Sequence, residues 1–328
     1  MRFTIYALLF AFSSVALFSC GEDSEKSSEA PEAEVKFVRF DKELMSLQSK
    51  EELQSFLAEN PWYSKSLYRA FPEDTSFVSH LYDIISHPGS RAFYEEVDST
   101  FGDLSDLKAQ FGKAFGNIKA TYPDFKVPSV YTTFTGLEND LFVGDSIVII
   151  SLEAFAGPEA SYRPDQPAYI QNRYQREYIV PTVIRLMAGP YIESNAGSDL
   201  LNDMIFFGKS FEFTKAMMPG VADSLIIALP DSSLQGNWYN QDIIWAHFID
   251  KQLLYEQNHR TKEKYIGERP NVPEIGPACP GRVGQWLGWR IIDKFRTENP
   301  DVSLQELLKI KDPQEILRES KYRGLVEE

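Results

Sequence analysis

VPSVYTTFTG, residues 127–136, and SIVIISL, residues 146–152, mark the place where the hydropathy of this chain changes its period. Both runs are rich in β-branched and aromatic side chains, which pack well on a pleated surface and lose rotamer freedom in a helix. Gly144-Asp145 sets a turn signal just ahead of the second run. Two neighbouring strands of a small sheet are therefore expected. Just upstream, Leu104, Leu107, Phe111, Phe115 and Ile118 recur at spacings of 3, 4, 4 and 3, which places them on one face of a single helix. The contrast decides the fold class: α+β, predominantly helical, with a small β element.

Working outward, residues 37–123 read as helical. Leu44, Leu47, Leu53, Phe56 and Leu57 predict one helix over residues 43–57, closed by Asn60-Pro61. Residues 155–167, FAGPEASYRPDQP, are a loop, and the helical spacing of residues 169–187 is interrupted by Pro181, which must start a new helix or kink an existing one. Helices are also expected over residues 199–218, with Ser198 as N-cap, over 242–255 and over 283–295. Residues 265–280 read as a proline-studded connection. Ser303 and Asp312, each followed three residues later by glutamate, predict capping boxes that open the last two helices.

At the other end, Arg2 is the only charge before Cys20, residues 5–18 are almost wholly apolar, and Ser19 sets a small side chain ahead of the cysteine. About 14 apolar residues are too few to span a bilayer comfortably. Residues 1–19 thus read as a lipoprotein signal peptide, with Cys20 as the lipid attachment site. Residues 20–36 carry six carboxylates, two lysines and no aromatic residue, the composition of a solvated acidic tether. Residues 37–328 then form one domain. Its 43% hydrophobic content supports a real core. A net charge of −15 repels nucleic acid and anionic headgroups, so attachment to a membrane must come from acyl chains on Cys20. Once Cys20 is acylated, Cys279 has no disulfide partner.

The search for catalytic chemistry returns fragments. His80, His87, His247 and His259 include no pair four residues apart and no His-Glu dipeptide, so the two-imidazole motif of zinc peptidases is missing. His247 reads as a satisfied, partly buried histidine. Phe207-Gly208-Lys209-Ser210 mimics the end of a phosphate loop, yet Asp203 stands where its first glycine belongs. No serine sits in a Gly-x-Ser-x-Gly elbow, and Cys279 between Ala278 and Pro280 has no evident base. No catalytic residue, metal ligand or cofactor is assigned. What stands out is residues 280–292, PGRVGQWLGWRII. Gly284 and Gly288 make a smooth helical stripe for close approach of another backbone, while Trp286 and Trp289 share another face. Arg282, Trp286, Trp289 and Arg290, with Tyr178, are the candidate interaction or cleft residues, because aromatics and arginine are enriched at binding hot spots.

Several of these segments together resemble the GldB family of gliding-motility lipoproteins of Bacteroidetes. They are Val38-Arg39-Phe40-Asp41, Pro167-Ala168-Tyr169-Ile170 through Glu177-Tyr178-Ile179-Val180-Pro181, and Ile205-Phe206-Phe207-Gly208-Lys209. Ile244-Trp245 with Leu253-Leu254-Tyr255, and Pro280-Gly281-Arg282-Val283-Gly284 with Gly288-Trp289, complete the set. The resemblance implies a lipid-anchored envelope protein of the outer membrane, on its periplasmic face or the cell surface. It places the anchor in that membrane and implies protein partners in the gliding and adhesin-secretion apparatus. It also implies a distant likeness to zincin (gluzincin)-like peptidases, in which the helix near Tyr178 to Arg185 carries the zinc motif. Here that segment reads YIVPTVIR and holds no ligand. The expectation is a degenerate zincin-like domain, a pseudoenzyme acting through protein interactions. A peptide- or glycan-binding module in a relic peptidase cleft is the alternative, and a cryptic hydrolase using carboxylates or Cys279 the third reading.

Overall fold

The computed structural model describes residues 30–195 and 199–325. Cys20 with the signal stretch, and Ser198, lie outside the described residues. The folded chain opens with a strand, β1 (Phe37–Arg39), in a region whose sequence reads as helical. The stretch read as helical then resolves into six helices, α1 (Phe40–Ser46), α2 (Lys50–Glu59), α3 (Pro61–Leu67), α4 (Thr75–Ser86), α5 (Pro88–Phe101) and α6 (Ser105–Thr121). The single helix expected over residues 43–57 is thus two. Leu47 leaves α1 in an extended conformation, and Ser49 caps α2 by accepting from the Glu52 amide, while the Glu52 carboxylate reaches back to the amide of Gln48. This local competition for backbone donors outweighs the apolar periodicity that runs through it. Pro61 occupies the first turn of α3, where its missing N–H costs nothing. The stripe of α6 is buried as expected, with Leu104 turned left-handed at its N-cap.

β2 (Ser129–Thr133), β3 (Leu141–Val143) and β4 (Ile147–Ser151) follow. The sheet order is β1-β2-β4-β3, with β1, β2 and β4 parallel and β3 antiparallel at the edge. The two runs that open the sequence reading are indeed neighbours, Val130 beside Val148 and Thr132 beside Ile150. β3 comes from the segment between them, where no strand is expected from the sequence. Glu153, buried just past β4, holds that segment in place: its Oε1 accepts from the Thr135 amide at 2.6 Å, the Thr135 hydroxyl and the Leu137 amide.

The remaining helices are α7 (Ala168–Gln171), α8 (Ile179–Met187), α9 (Leu200–Met217), α10 (Asp223–Ile227), α11 (Asp231–Tyr239), α12 (Gln241–Asp250), α13 (His259–Ile266), α14 (Val283–Glu298), α15 (Leu304–Lys309) and α16 (Pro313–Ser320). Pro181 lies in the first turn of α8, so it starts a helix rather than kinking one. Asp199 is the N-cap of α9, accepting from the Asn202 amide. α12 ends earlier than expected, where Gln252 turns left-handed, and α13 occupies part of the stretch read as a connection. Ser303 and Glu306 form the capping box, whereas Asp312 caps α16 through the Gln314 amide.

Two apolar cores share one long helix. Phe213 and Met217 near the end of α9 join the core built on the sheet, α1–α6 and α8. Leu200 through Phe211 join a second core with α10, α12, α13, α14 and α16. Residues 31–35, within the stretch read as a tether, are packed onto the first: Val35 is buried and the Ala33 amide donates to the Gly112 carbonyl at 2.9 Å. Gly112 and Gly116 lie beneath this strap, and a Cβ on Gly116 would overlap the Pro31 carbonyl oxygen. Ordered packing therefore begins before residue 37.

Candidate functional site

Within α14 the positions 286, 289 and 290 fall on one side of the helix by their i, i+3, i+4 spacing. Trp286, Trp289 and Arg290 together line a groove of about 310 Å³, whose other wall is α11 with Leu234, Gln235, Trp238 and Tyr239, and whose rim includes Asp223 of α10. The indoles are set deep, Trp286 at 3% and Trp289 at 1% exposure, so they present edges to the groove and bodies to the second core. Arg290 sits between two rings, its guanidinium carbon 5.2 Å from the Trp289 centroid and 5.8 Å from that of Trp238. Asp293 accepts one of its hydrogen bonds at 3.3 Å. Trp289 is fixed from behind: its indole N–H donates to Glu212 at 3.4 Å, and burial raises the pKa of that carboxyl.

α14 owes its position to glycine. A Cβ on Gly288 would overlap the Met204 carbonyl of α9, and one on Gly208 would lie 2.6 Å from the Gly288 carbonyl oxygen. The backbones of α9 and α14 thus touch, and Phe211 packs on Trp289 with ring centroids 5.4 Å apart. Gly284 serves a different neighbour, the Tyr265 carbonyl of α13, at 3.1 Å. The stripe of small residues read from sequence is real, but it faces two partners.

Next to the groove the surface is apolar. Trp238 and Tyr239 end α11 at 40% and 76% exposure, and Ile243, Ala246 and Ile249 continue along the exposed side of α12. Asp231 of α11 and Asp242 and Asp250 of α12 are exposed on the same two helices, while Asp223 at the groove rim is paired at 3.5 Å with Lys215, which lies over Trp289.

Tyr178 and Arg282 lie elsewhere. Tyr178 precedes α8 and is not part of the aromatic groove. Arg282 is 4% exposed, left-handed at φ 61°, and donates to the carbonyls of Ile227 at 2.9 Å and Ala228 at 2.5 Å. It therefore caps the C-terminus of α10, where a cation meets the negative end of the helix. The five candidate residues fall into two groups: three in the groove, and two outside it, before α8 and at the end of α10.

The other residues singled out by sequence have structural partners. Lys209 of the phosphate-loop mimic lies inside α9, its ammonium bonded to the carbonyls of Glu193, Leu308 and Ile310. Cys279 is buried, and burial pushes its thiol up to about 12, away from nucleophilic chemistry. His247 shares a 3.0 Å hydrogen bond with Tyr265, His80 pairs with Glu138 at 2.6 Å, and His87 caps α5 through the Gly89 amide. Among the described residues no group of three or more His, Cys, Asp and Glu side chains gathers to hold a metal ion, and no helix is long and apolar enough to cross a membrane. Asp41, in the Val38-Arg39-Phe40-Asp41 segment, is wholly buried and accepts from Arg39, Tyr94 and Thr132, tying β1 to β2 and α5.

No curated protein and no solved structure matches the chain. The model of the family described as Gliding motility protein GldB matches residues 21–324, nearly the whole of what folds here and both groups of candidate residues. On the extent of that match, the chain belongs to the GldB family of gliding motility proteins.

Proposed function

We propose that this protein is a lipid-anchored envelope component of the gliding and secretion apparatus, and that it works by holding a partner protein rather than by catalysis. Family membership supports the role in gliding motility. The observation that carries the mechanism is the exposed row Trp238, Tyr239, Ile243 and Ile249 beside the arginine–tryptophan groove. Contiguous apolar surface with aromatic anchors and a polar rim is the anatomy of a protein interface. The exposed aspartates of α11 and α12 and the chain's charge of −15 match a partner segment with apolar anchors flanked by lysine or arginine. Trp238, the one exposed indole of the groove, with Arg290 beside it, also suits stacking against a sugar ring, so a glycan is the second reading.

Replacing Tyr239 and Ile243 together by aspartate tests the proposal, since both side chains are exposed. Folding stability is expected to change by less than about 0.5 kcal/mol, while gliding is lost and in-cell crosslinking from position 246 fails. Normal gliding by such a strain overturns the interface. Binding of soluble envelope glycan by the wild-type groove, lost in Trp238→Ala, favours the second reading. Stoichiometric zinc with chelator-sensitive proteolysis would overturn the non-catalytic assignment.

A further inference from the structure

Arg173 and Arg282 come from separate parts of the chain and meet at one carboxylate, Glu268, and Arg185 lies near enough for their charges to act on it. Arg173 grips it with both terminal nitrogens, at 2.6 and 2.8 Å, and the Arg282 Nε stands 3.5 Å from its Oε1. Arg185 projects from α8, which packs against α10, the helix that Arg282 caps. The fields of Arg173 and Glu268 act on both Arg185 and Arg282, and burial together with the neighbouring cations lowers the pKa of each. One carboxylate among three guanidinium groups leaves two positive charges in a protein whose net charge is −15.

The donors are also under-used. The Nε atoms of Arg173 and Arg282 are buried without a hydrogen-bond partner, and the Arg185 guanidinium makes no hydrogen bond or ion pair among the described residues. Buried charged donors without acceptors are costly and rare. The cluster is not sealed: the Arg173 side chain is 20% and that of Glu268 43% exposed.

We infer that Arg173, Arg185 and Arg282 form a binding site for a dianionic phosphate group, either free phosphate or a phosphate monoester. The unpartnered Nε–H groups of Arg173 and Arg282 and the Arg185 guanidinium offer donors to a tetrahedral oxyanion, and a phosphate at neutral pH carries the charge that balances the surplus. A monocarboxylate balances half of it. The site is separate from the aromatic groove, and its failure leaves the interface proposal standing.

The test is calorimetric and thermal titration of the purified full chain with inorganic phosphate, glycerol 3-phosphate and acetate, against sodium chloride at equal ionic strength. Saturating phosphate is expected to raise the unfolding midpoint by about 2–4 °C, with a single binding isotherm, while acetate follows chloride. Tighter binding of glycerol 3-phosphate identifies an ester as the natural ligand; equal or weaker binding identifies the free ion. Arg185→Met is expected to abolish the shift and, because it removes an unpaired cation, to leave the phosphate-free midpoint unchanged or higher. Arg282→Met is unsuitable, since it uncaps α10. A phosphate response no larger than that of chloride overturns the inference. So does an Arg185→Met variant that still binds phosphate as the wild type does.

Discussion

Glu153 shows how a single residue can govern the β element. Its carboxyl is 1% exposed, one oxygen gathers the Thr135 and Leu137 amides, and the other is buried without a partner. Desolvation outweighs those hydrogen bonds and raises its pKa to about 7, from 4.5. Between these two values the folded protein keeps a proton that the unfolded chain has released. Stability must therefore fall as pH rises from about 4.5 to about 7. The size follows from the shift, of order 3 kcal/mol. Glu153→Gln carries no such proton, so urea unfolding at pH 4.5 and pH 8 should show a much smaller loss for the variant than for the wild type. Equal losses would refute the assignment. Nothing in SIVIISLE distinguishes this glutamate from a solvated residue at a strand end, because its acceptors' partners lie sixteen to eighteen positions away. The arginine cluster was illegible for the same reason. Residues 173, 185, 268 and 282 share no local pattern, and only Arg282 drew notice, through its glycine- and tryptophan-rich neighbours.

At the scale of elements, legibility followed the length of the pattern. α6 and α14 carry several turns of apolar spacing, and both formed where expected. β1 did not register, because three residues give no period and their ladder partners in β2 lie more than ninety positions away. α13 was hidden by its charge: only Lys262 and Tyr265 are buried, and the helix declares itself by its Asn258 cap rather than by apolar periodicity. α11 was missed too, with two serines, a glycine and an asparagine in nine residues, and with it went half of the groove. The glycines of α14 offer a test that separates spacing from packing. Gly284 and Gly288 look equivalent in sequence, yet a methyl group at 288 strikes backbone of α9, whereas one at 284 meets the Tyr265 carbonyl at 3.1 Å. Gly288→Ala should cost about 3 kcal/mol or more and pull the groove apart, while Gly284→Ala should cost about 1 kcal/mol or less. Urea midpoints of the two variants decide it, and a mild Gly288→Ala would mean that α9 and α14 pack less closely than described.

For the molecule as a whole, the question is what attachment contributes. The strap of residues 31–35 belongs to the first core, on α6, while the exposed apolar face belongs to α11 and α12, beside the second. If Cys20 is acylated, residues 21–30 are all that separate the lipid from the strap, and ten residues reach at most about 35 Å. The exposed apolar face would then be held close to one membrane, at an orientation biased by where the strap leaves the fold. The packing that fixes the strap uses Val35 and the Ala33–Gly112 hydrogen bond and makes no demand on the lipid. Cys20→Ala should therefore leave the unfolding midpoint unchanged, move the protein from the membrane to the soluble fraction, and abolish gliding. Fractionation, thermal melting and motility on one strain distinguish the outcomes. A soluble, folded variant that still supports gliding would show that the interface acts without the anchor, and a variant that melts early would show that the leader contributes to folding instead of position.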